Sequence, residues 1–192
     1  MFDFLGSLIG LIILIPFFII IAILIKLNSK GPVFYKQQRV GLNNTNFGVY
    51  KFRSMYMDAD KKGLLTVGGR DPRITSIGYF LRKYKIDELP QLINVLLGEM
   101  SLVGPRPEVR KYVDYYNAEQ MRVLSVKPGI TDNASIEFID ENVLLAQAAD
   151  PEKYYLEKLI PQKTAIYLEY VDTRNFWKDI QIIFKTIFNV FR

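Results

Sequence analysis

Residues 4–25 carry no charged side chain, and from Leu8 to Ile25 the apolar run is broken only by Gly10 and Pro16. A run of about 18–25 apolar residues is long enough to cross a bilayer. This one has no polar face to turn toward water, so it makes a poor core helix. It also lacks the basic leader and small-residue cleavage site of a secretory signal. The sequence therefore predicts a membrane-inserted helix over 1–27 and a single further unit over 28–192. Pro16 removes a helical hydrogen bond in mid-segment and marks an expected membrane bend. Two halves of about 11 residues would each measure ~16 Å, half of a ~30 Å hydrocarbon core. A straight span and a hairpin re-entering one leaflet both fit that length. Lys26, Lys30, Lys36 and Arg39 follow at once, which assigns the downstream side to the cytoplasm.

The chain has no histidine and no cysteine. That excludes Ser-His-Asp and Cys-His catalysis, His/Cys zinc sites, thiol redox chemistry and disulfides. Acids, bases and nucleophiles must come from Asp, Glu, Lys, Tyr, Ser or Thr, and the matching metal is a hard, oxygen-ligated ion such as Mg²⁺. The net charge is +5, with basic residues concentrated in 26–85 and acidic ones frequent in 132–172. The basic half points to anionic partners such as phosphates and lipid headgroups. No RNA- or DNA-binding motif is present, so nucleic acid is not an expected partner.

The stretch Lys85-Ile-Asp-Glu-Leu-Pro-Gln-Leu-Ile-Asn-Val-Leu-Leu-Gly98 is the most informative of the soluble part. Leu89, Leu92, Ile93 and Leu96 have helical spacing, and Gly98 is a natural stop. Asp87 is then expected at or next to the N-cap, with Glu88 beside it and Pro90 in the first turn. Carboxylates near free N–H groups and the positive end of a helix form a place where phosphate and a divalent cation can meet. An Asp-Glu pair taken alone is usually a solvated surface feature; its setting is what points to phosphate chemistry.

Around it, Val33–Val40 and Phe47–Met55 read as a β-hairpin about an Asn-rich turn. On its second strand Lys51, Arg53 and Met55 share one face, opposite Tyr50, Phe52 and Ser54. Residues 57–75 read as a loop, Ser76–Tyr84 as a helix carrying Arg82, Pro107 to about Val126 as a helix, and 141–170 as a long mixed helical region. Asn175–Arg192 reads as an aromatic-rich amphipathic helix with a basic stripe, suited equally to a membrane interface or a protein core. The fold class expected is α+β: the membrane helix, a small β-hairpin and a helical catalytic domain with interfacial amphipathic helices.

Ile25-Lys-Leu27, Gly31-Pro-Val-Phe34, Tyr50-Lys-Phe-Arg-Ser-Met55, Asp71-Pro-Arg-Ile-Thr75, Leu81-Arg82, Asp87-Glu-Leu-Pro-Gln91, Asn94-Val95 and Met100-Ser-Leu-Val-Gly-Pro-Arg-Pro107 occur in that order. In this succession the chain resembles the small monotopic polyprenyl-phosphate phosphoglycosyl transferases, the bacterial sugar transferase family. The resemblance runs to about Thr131 and is loose beyond. It implies transfer of a sugar-1-phosphate from a UDP-sugar to undecaprenyl phosphate, with release of UMP, as a first membrane step of glycoconjugate assembly. It further implies a Mg²⁺-dependent ping-pong reaction in which Asp87 is the nucleophile and Glu88 helps to organise the site and the metal. Arg82, Arg106, Lys51 and Arg53 become candidates for phosphate binding, with Gln91 and Asn94 as further substrate-site candidates. A re-entrant helix with both ends at the cytoplasmic face of the bacterial inner membrane is implied as well. The family bends at Ser-Pro where this chain has Ile15-Pro16. It also commonly has Thr-Gly at Thr131-Asp132, a place where substrate selection can differ, so the resemblance does not name the sugar. A homo-oligomer is left open. The rival reading is a non-enzymatic membrane-tethered scaffold that binds anionic lipid or a partner protein.

Overall fold

The computed structural model describes residues 2–68 and 71–190. Met1, Gly69, Arg70, Phe191 and Arg192, which the sequence places in the membrane segment, the 57–75 loop and the last helix, lie outside the described residues. The architecture is α+β, as expected.

Helix α1 runs from Phe2 to Asn28 and continues through Pro16. Its 27 residues correspond to about 40 Å of helix measured along the axis. It is long and apolar enough to cross a membrane, and Ile12, Ile13, Ile19, Ile20 and Ile23 are exposed along it. An apolar surface of that extent calls for a non-aqueous neighbour. Both ends of α1 nonetheless touch the same globular body. At the start, Asp3 accepts hydrogen bonds from Ser101 Oγ (2.9 Å) and Leu102 N (3.1 Å). At the end, Ile21 and Ile25 are buried against Phe52 and Leu81.

Strands β1 (Phe34–Val40) and β2 (Asn46–Phe52) form an antiparallel hairpin with Phe34 opposite Phe52 and Val40 opposite Asn46. Asn43 and Asn44 take left-handed conformations in the turn (φ 54° and 60°), which asparagine tolerates better than most residues. The second strand is shorter than expected. It ends at Phe52, and Met55 makes only a bridge to Ile74. The chain is drawn off after Phe52 because Ser54 O accepts from Thr75 N, at the foot of helix α2 (Ser76–Lys83). Gly78 makes this approach possible: a Cβ there would sit 1.9 Å from Ser54 O. Thr75 caps α2 by accepting from Gly78 N.

The Asp87 region also differs from expectation. Lys85 is left-handed (φ 54°), Ile86–Glu88 form a separate 3₁₀ turn, and helix α3 spans only Gln91–Leu96 with Pro90 as its N-cap. Asp87 is therefore in the turn ahead of the helix. Gly98 (φ 80°) ends the segment as the sequence predicts.

Strands β3 (Ser101–Val103) and β4 (Gly129–Thr131) form a small parallel pair that the sequence reading did not contain. Gly104 and Gly129 allow it, since a Cβ on Gly129 would lie 2.1 Å from Gly104 N. The helix expected over Pro107–Val126 is reduced to α4 (Arg110–Val113) and a 3₁₀ stretch, Gln120–Ser125. Between them Asn117 and Gln120 exchange side chain-to-backbone hydrogen bonds of 2.9 Å, a local alternative to helix. A short helix, α5 (Asn133–Glu137), precedes the mixed region, which resolves into α6 (Glu141–Gln147), α7 (Pro151–Tyr154), a π turn over Tyr155–Leu159 and α8 (Ile160–Thr173). Asp150, capping α7 just ahead of Pro151, is the break within it. Helix α9 (Phe176–Val190) buries Ile182 and exposes Phe176, Trp177, Phe184, Ile187 and Phe188.

Candidate active site

A cleft of about 1090 Å³ opens between the hairpin, the Ile86–Glu88 turn and the helices that follow β4. Asp87 and Glu88 lie on its wall, with Lys51, Arg53, Ser54, Arg82 and Arg106. The elements explain why. The hairpin presents Lys51, the short turn after α2 turns both carboxylates inward, and the chain leaving β3 brings Arg106 across to them.

The two neighbouring carboxylates have different surroundings. Glu88 is held by both arms of Arg106, one Nη1–Oε2 bond being 2.9 Å and the Nη2–Oε1 contact shorter. Its Oε1 also accepts from Lys51 Nζ at 3.1 Å. Burial alone would raise its pKa, but Arg106 and Lys51 outweigh it and hold Glu88 well below the usual carboxylate range. Asp87 is only 5% exposed, makes no ion pair among the described residues, and has Ser54 Oγ 3.4 Å from Oδ2. Burial, and then the charge of Glu88, push its pKa up, against the opposing pull of Lys51, Arg82 and Lys85. The Lys51 ammonium is itself lowered to about 8 by burial, in spite of Glu88. Arg106 remains firmly cationic beside Glu88.

Asp87, unlike Glu88, is thus left without an ion pair among the described residues, on a cleft wall that also carries Lys51, Arg82 and Arg106. A carboxylate with a raised pKa is more nucleophilic than an ordinary one, and it needs no separate base once ionised. Arg106, Lys51 and Arg82 supply a positive field suited to an anionic phosphate group. Among the described residues no group of three or more Asp, Glu, His or Cys ligands gathers around a point. A divalent cation would thus be held mainly by Asp87 and substrate phosphates, which suits Mg²⁺. Both oxygens of Glu88 are already engaged by Arg106 and Lys51, so as arranged it fits the metal role less well than Asp87.

The other expected site residues separate. Arg82 reaches the cleft and donates to Thr66 Oγ1 (3.0 Å). The backbone of Arg53 lies along the cleft, yet its guanidinium is turned onto the end of α1, donating to Lys30 O, Ser29 O, Ser29 Oγ and Ile25 O. It caps that helix. Asn94 is fully buried, takes Tyr50 N on Oδ1 (2.9 Å), and gives Nδ2 to Gly48 O and Glu99 Oε2. It fastens α3 to β2. Gln91 is buried and, like Asn94, is not on the cleft wall. Pro16 lies far along α1, whose next residue, Phe17, borders the cleft. Ser54 joins the site although strict strand alternation puts it opposite Lys51, because the chain's exit from the strand after Phe52 undoes that alternation. Arg39, Glu108 and Tyr155, joined by an Arg39–Glu108 pair of 3.0 Å and a Tyr155–Glu108 hydrogen bond, also line the cleft. No motif signal marks them.

The bacterial sugar transferase family model matches residues 1–192. An Aeromonas hydrophila UDP-N-acetylgalactosamine-undecaprenyl-phosphate N-acetylgalactosaminephosphotransferase is 39% identical over 192 residues, covering 96% of this chain and 41% of that protein. A Komagataeibacter xylinus undecaprenyl-phosphate glucose phosphotransferase is 40% identical over 197 residues (97% and 34%). The Escherichia coli K12 UDP-glucose:undecaprenyl-phosphate glucose-1-phosphate transferase is 38% identical over 184 residues (94% and 37%). The chain thus spans about two fifths or less of the length of these relatives. With the whole of its described length matched by one family model, the chain belongs to the bacterial sugar transferase family.

Proposed function

We propose that this protein is a phosphoglycosyl transferase that moves a sugar-1-phosphate from a UDP-sugar to undecaprenyl phosphate, as an initiating step of polysaccharide or glycoconjugate assembly. The observation that carries this reading is the asymmetry of the carboxylate pair: Glu88 is bound by Arg106 and Lys51, while Asp87 faces the cleft without an ion pair among the described residues. The named activities of the relatives support the substrate classes.

In this reading an Asp87 oxygen attacks the phosphorus that carries the sugar. The bond from that phosphorus to the bridging oxygen breaks, and UMP leaves with the electron pair. The resulting acyl phosphate on Asp87 is attacked by an oxygen of undecaprenyl phosphate, which forms the lipid diphosphate sugar and returns the free carboxylate. Arg106, Lys51 and Arg82 hold the phosphate oxygens in line and offset their charge against that of Asp87. Asp87 is the residue that would hold a Mg²⁺ ion together with the substrate's phosphate oxygens, and such an ion would supply further neutralisation of phosphate charge. The exposed face of α1 sits in the membrane, with the cleft on the cytoplasmic side. Phe17, at the cleft edge, links the apolar helix to the chemistry.

The test is UMP release by the purified protein with undecaprenyl phosphate, Mg²⁺ and a panel of UDP-sugars. Lipid-dependent UMP with a lipid-linked product is the expected result. Sugar phosphate released to water, independent of lipid, would identify a hydrolase, and silence across the panel from folded protein would favour a scaffold.

A further inference from the structure

The acidic stretch after β4 has no role in the reaction proposed above, yet it lines the same cleft as Asp87 and Glu88. Because β3 and β4 are parallel, with Val103 opposite Thr131, the chains leaving them emerge at the same end. Arg106 lies three residues past Val103 and Asp132 one residue past Thr131. Asp132 is 4% exposed and lines the cleft. Ser135 donates its N–H to Oδ1 and its hydroxyl to Oδ2, each at 2.6 Å. Lys163, 8% exposed, lies 2.7 Å from Glu141 Oε2 and 5.3 Å from the centroid of the Tyr155 ring. All of these residues border the cleft.

Each carboxylate oxygen of Asp132 accepts one bond from Ser135 and keeps capacity for another; Lys163 has three donors, of which Glu141 takes one. The wall therefore offers a buried acceptor, a buried donor and an aromatic face, held in place by their own partners. Such a set recognises a ring of hydroxyls, because each sugar hydroxyl both donates and accepts. Arg106 fixes which part of a substrate lies here. Its guanidinium grips Glu88, and the charge of Asp132 also acts on it. Since β3 and β4 bring Arg106 and Asp132 out at the same end of the pair, a phosphate held by Arg106 has Asp132 among its neighbours on the cleft wall. In the reaction above, the attacked phosphorus carries the sugar directly, whereas the nucleoside is one phosphate further away.

We propose that Asp132 and Lys163 form the subsite for the sugar of the donor and set which hydroxyl pattern is accepted, an inference that rests on the transferase reading. The class of sugar is neutral. A uronic acid would bring its carboxylate against Asp132 and Glu141 and be disfavoured.

The experiment measures the affinity of the full chain for UDP and for neutral and uronic UDP-sugars by calorimetry, together with kcat/KM for UMP release. The variants are Asp132→Asn, Asp132→Ser and Lys163→Met. Asn and Ser both keep an oxygen to cap α5, and the extended backbone at this position (φ −158°) suits either. The expected result is that UDP binding stays within about twofold, while the extra affinity conferred by the sugar falls about 10- to 100-fold, as for loss of a hydrogen bond to a charged group. The preference between epimeric donors narrows in parallel. Equal losses for UDP and all UDP-sugars, an unchanged donor preference, or a wild type that gains nothing from the sugar would each overturn the subsite. Should the Asp132 variants unfold on heating far below wild type, Lys163→Met, away from the cap, decides. A wild type that binds UDP-sugars through this wall without releasing UMP keeps the subsite and overturns the transferase. UMP release with donor preference untouched by the variants does the reverse.

Discussion

The Lys51 ammonium stands 3.1 Å from Glu88 Oε1 while Arg106 grips the same carboxylate from the other side, so two cations converge on one member of an adjacent Asp-Glu pair. In the proposed reaction the pair is thereby divided into a charge anchor, Glu88, and a reactive group, Asp87. Asp87→Asn removes the reactive oxygen and is expected to lower turnover by about 10⁴-fold or more, with no sugar-phosphate adduct on the protein by mass spectrometry. Glu88→Gln leaves Lys51 and Arg106 without their counter-charge and should lower kcat by about 10²- to 10³-fold. Its adduct still forms, but slowly. Wild-type turnover by Asp87→Asn would refute the nucleophile assignment.

The pH profile should be bell-shaped, and the two limbs have different owners. Asp87 must be ionised to attack, and burial raises its pKa, so activity falls as the pH drops through a midpoint above the ordinary aspartate value. Lys51 is charged only below about 8, so its hold on Glu88 and phosphate is lost as the pH rises through that value. Lys51→Arg keeps its charge throughout this range. The alkaline limb near pH 8 is expected to disappear in this variant while the acid limb stays, which a kcat/KM profile checks directly.

Arg53 is expected to act on stability and not on substrate. Its guanidinium satisfies three backbone carbonyls at the end of α1, and its Nε is buried with no hydrogen-bond partner among the described residues. Arg53→Met strands those carbonyls and should cost about 2–4 kcal/mol, read as a lower Tm or denaturant midpoint. KM for the UDP-sugar should change less than about threefold in the protein that remains folded. A KM increase of tenfold or more at unchanged stability would return Arg53 to the phosphate site.

What the sequence conveyed and what it withheld follow the reach of each signal. The apolar run, the hairpin turn at Asn43–Asn44 and the stop at Gly98 are local, and the structure has all three. Asp87, Glu88, Lys51, Arg82 and Arg106 were recognisable by residue type and motif, and they meet in the cleft. Arg53 has the same credentials in sequence as Lys51, two residues before it. Only the chain's departure from the strand, forced by Thr75 and the bare face of Gly78, sends its guanidinium to a helix end instead. The wall made by Asp132 and Lys163 was legible only in part: the sequence marks Thr131-Asp132 as a place where substrate selection can differ, but nothing in it joins Lys163 to that position. That wall depends on a three-residue parallel strand pair permitted by close contact of Gly104 and Gly129, and no local periodicity encodes such a pair.

The last prediction concerns how α1 meets the bilayer. A straight span of about 40 Å would carry Asp3 to the side opposite the globular body. In the structure Asp3 instead bonds Ser101 and Leu102, and Phe2 packs edge-on against Phe176 at 5.3 Å. These contacts support a helix whose two ends share one side, with exposed Ile12 and Ile13 facing lipid. Because the chain contains no cysteine, single substitutions report cleanly. Phe2→Cys and Lys30→Cys should both react with an impermeant maleimide in inside-out vesicles and neither in right-side-out ones, while Ile13→Cys is protected in both. Asp3→Asn weakens the polar tie at the helix start and should leave Lys30→Cys labelling unchanged while loosening the sidedness of Phe2→Cys. Labelling of residue 2 only from outside, with residue 30 only from inside, would mean that the Asp3–Ser101 bond does not exist in the bilayer and that the helix spans it.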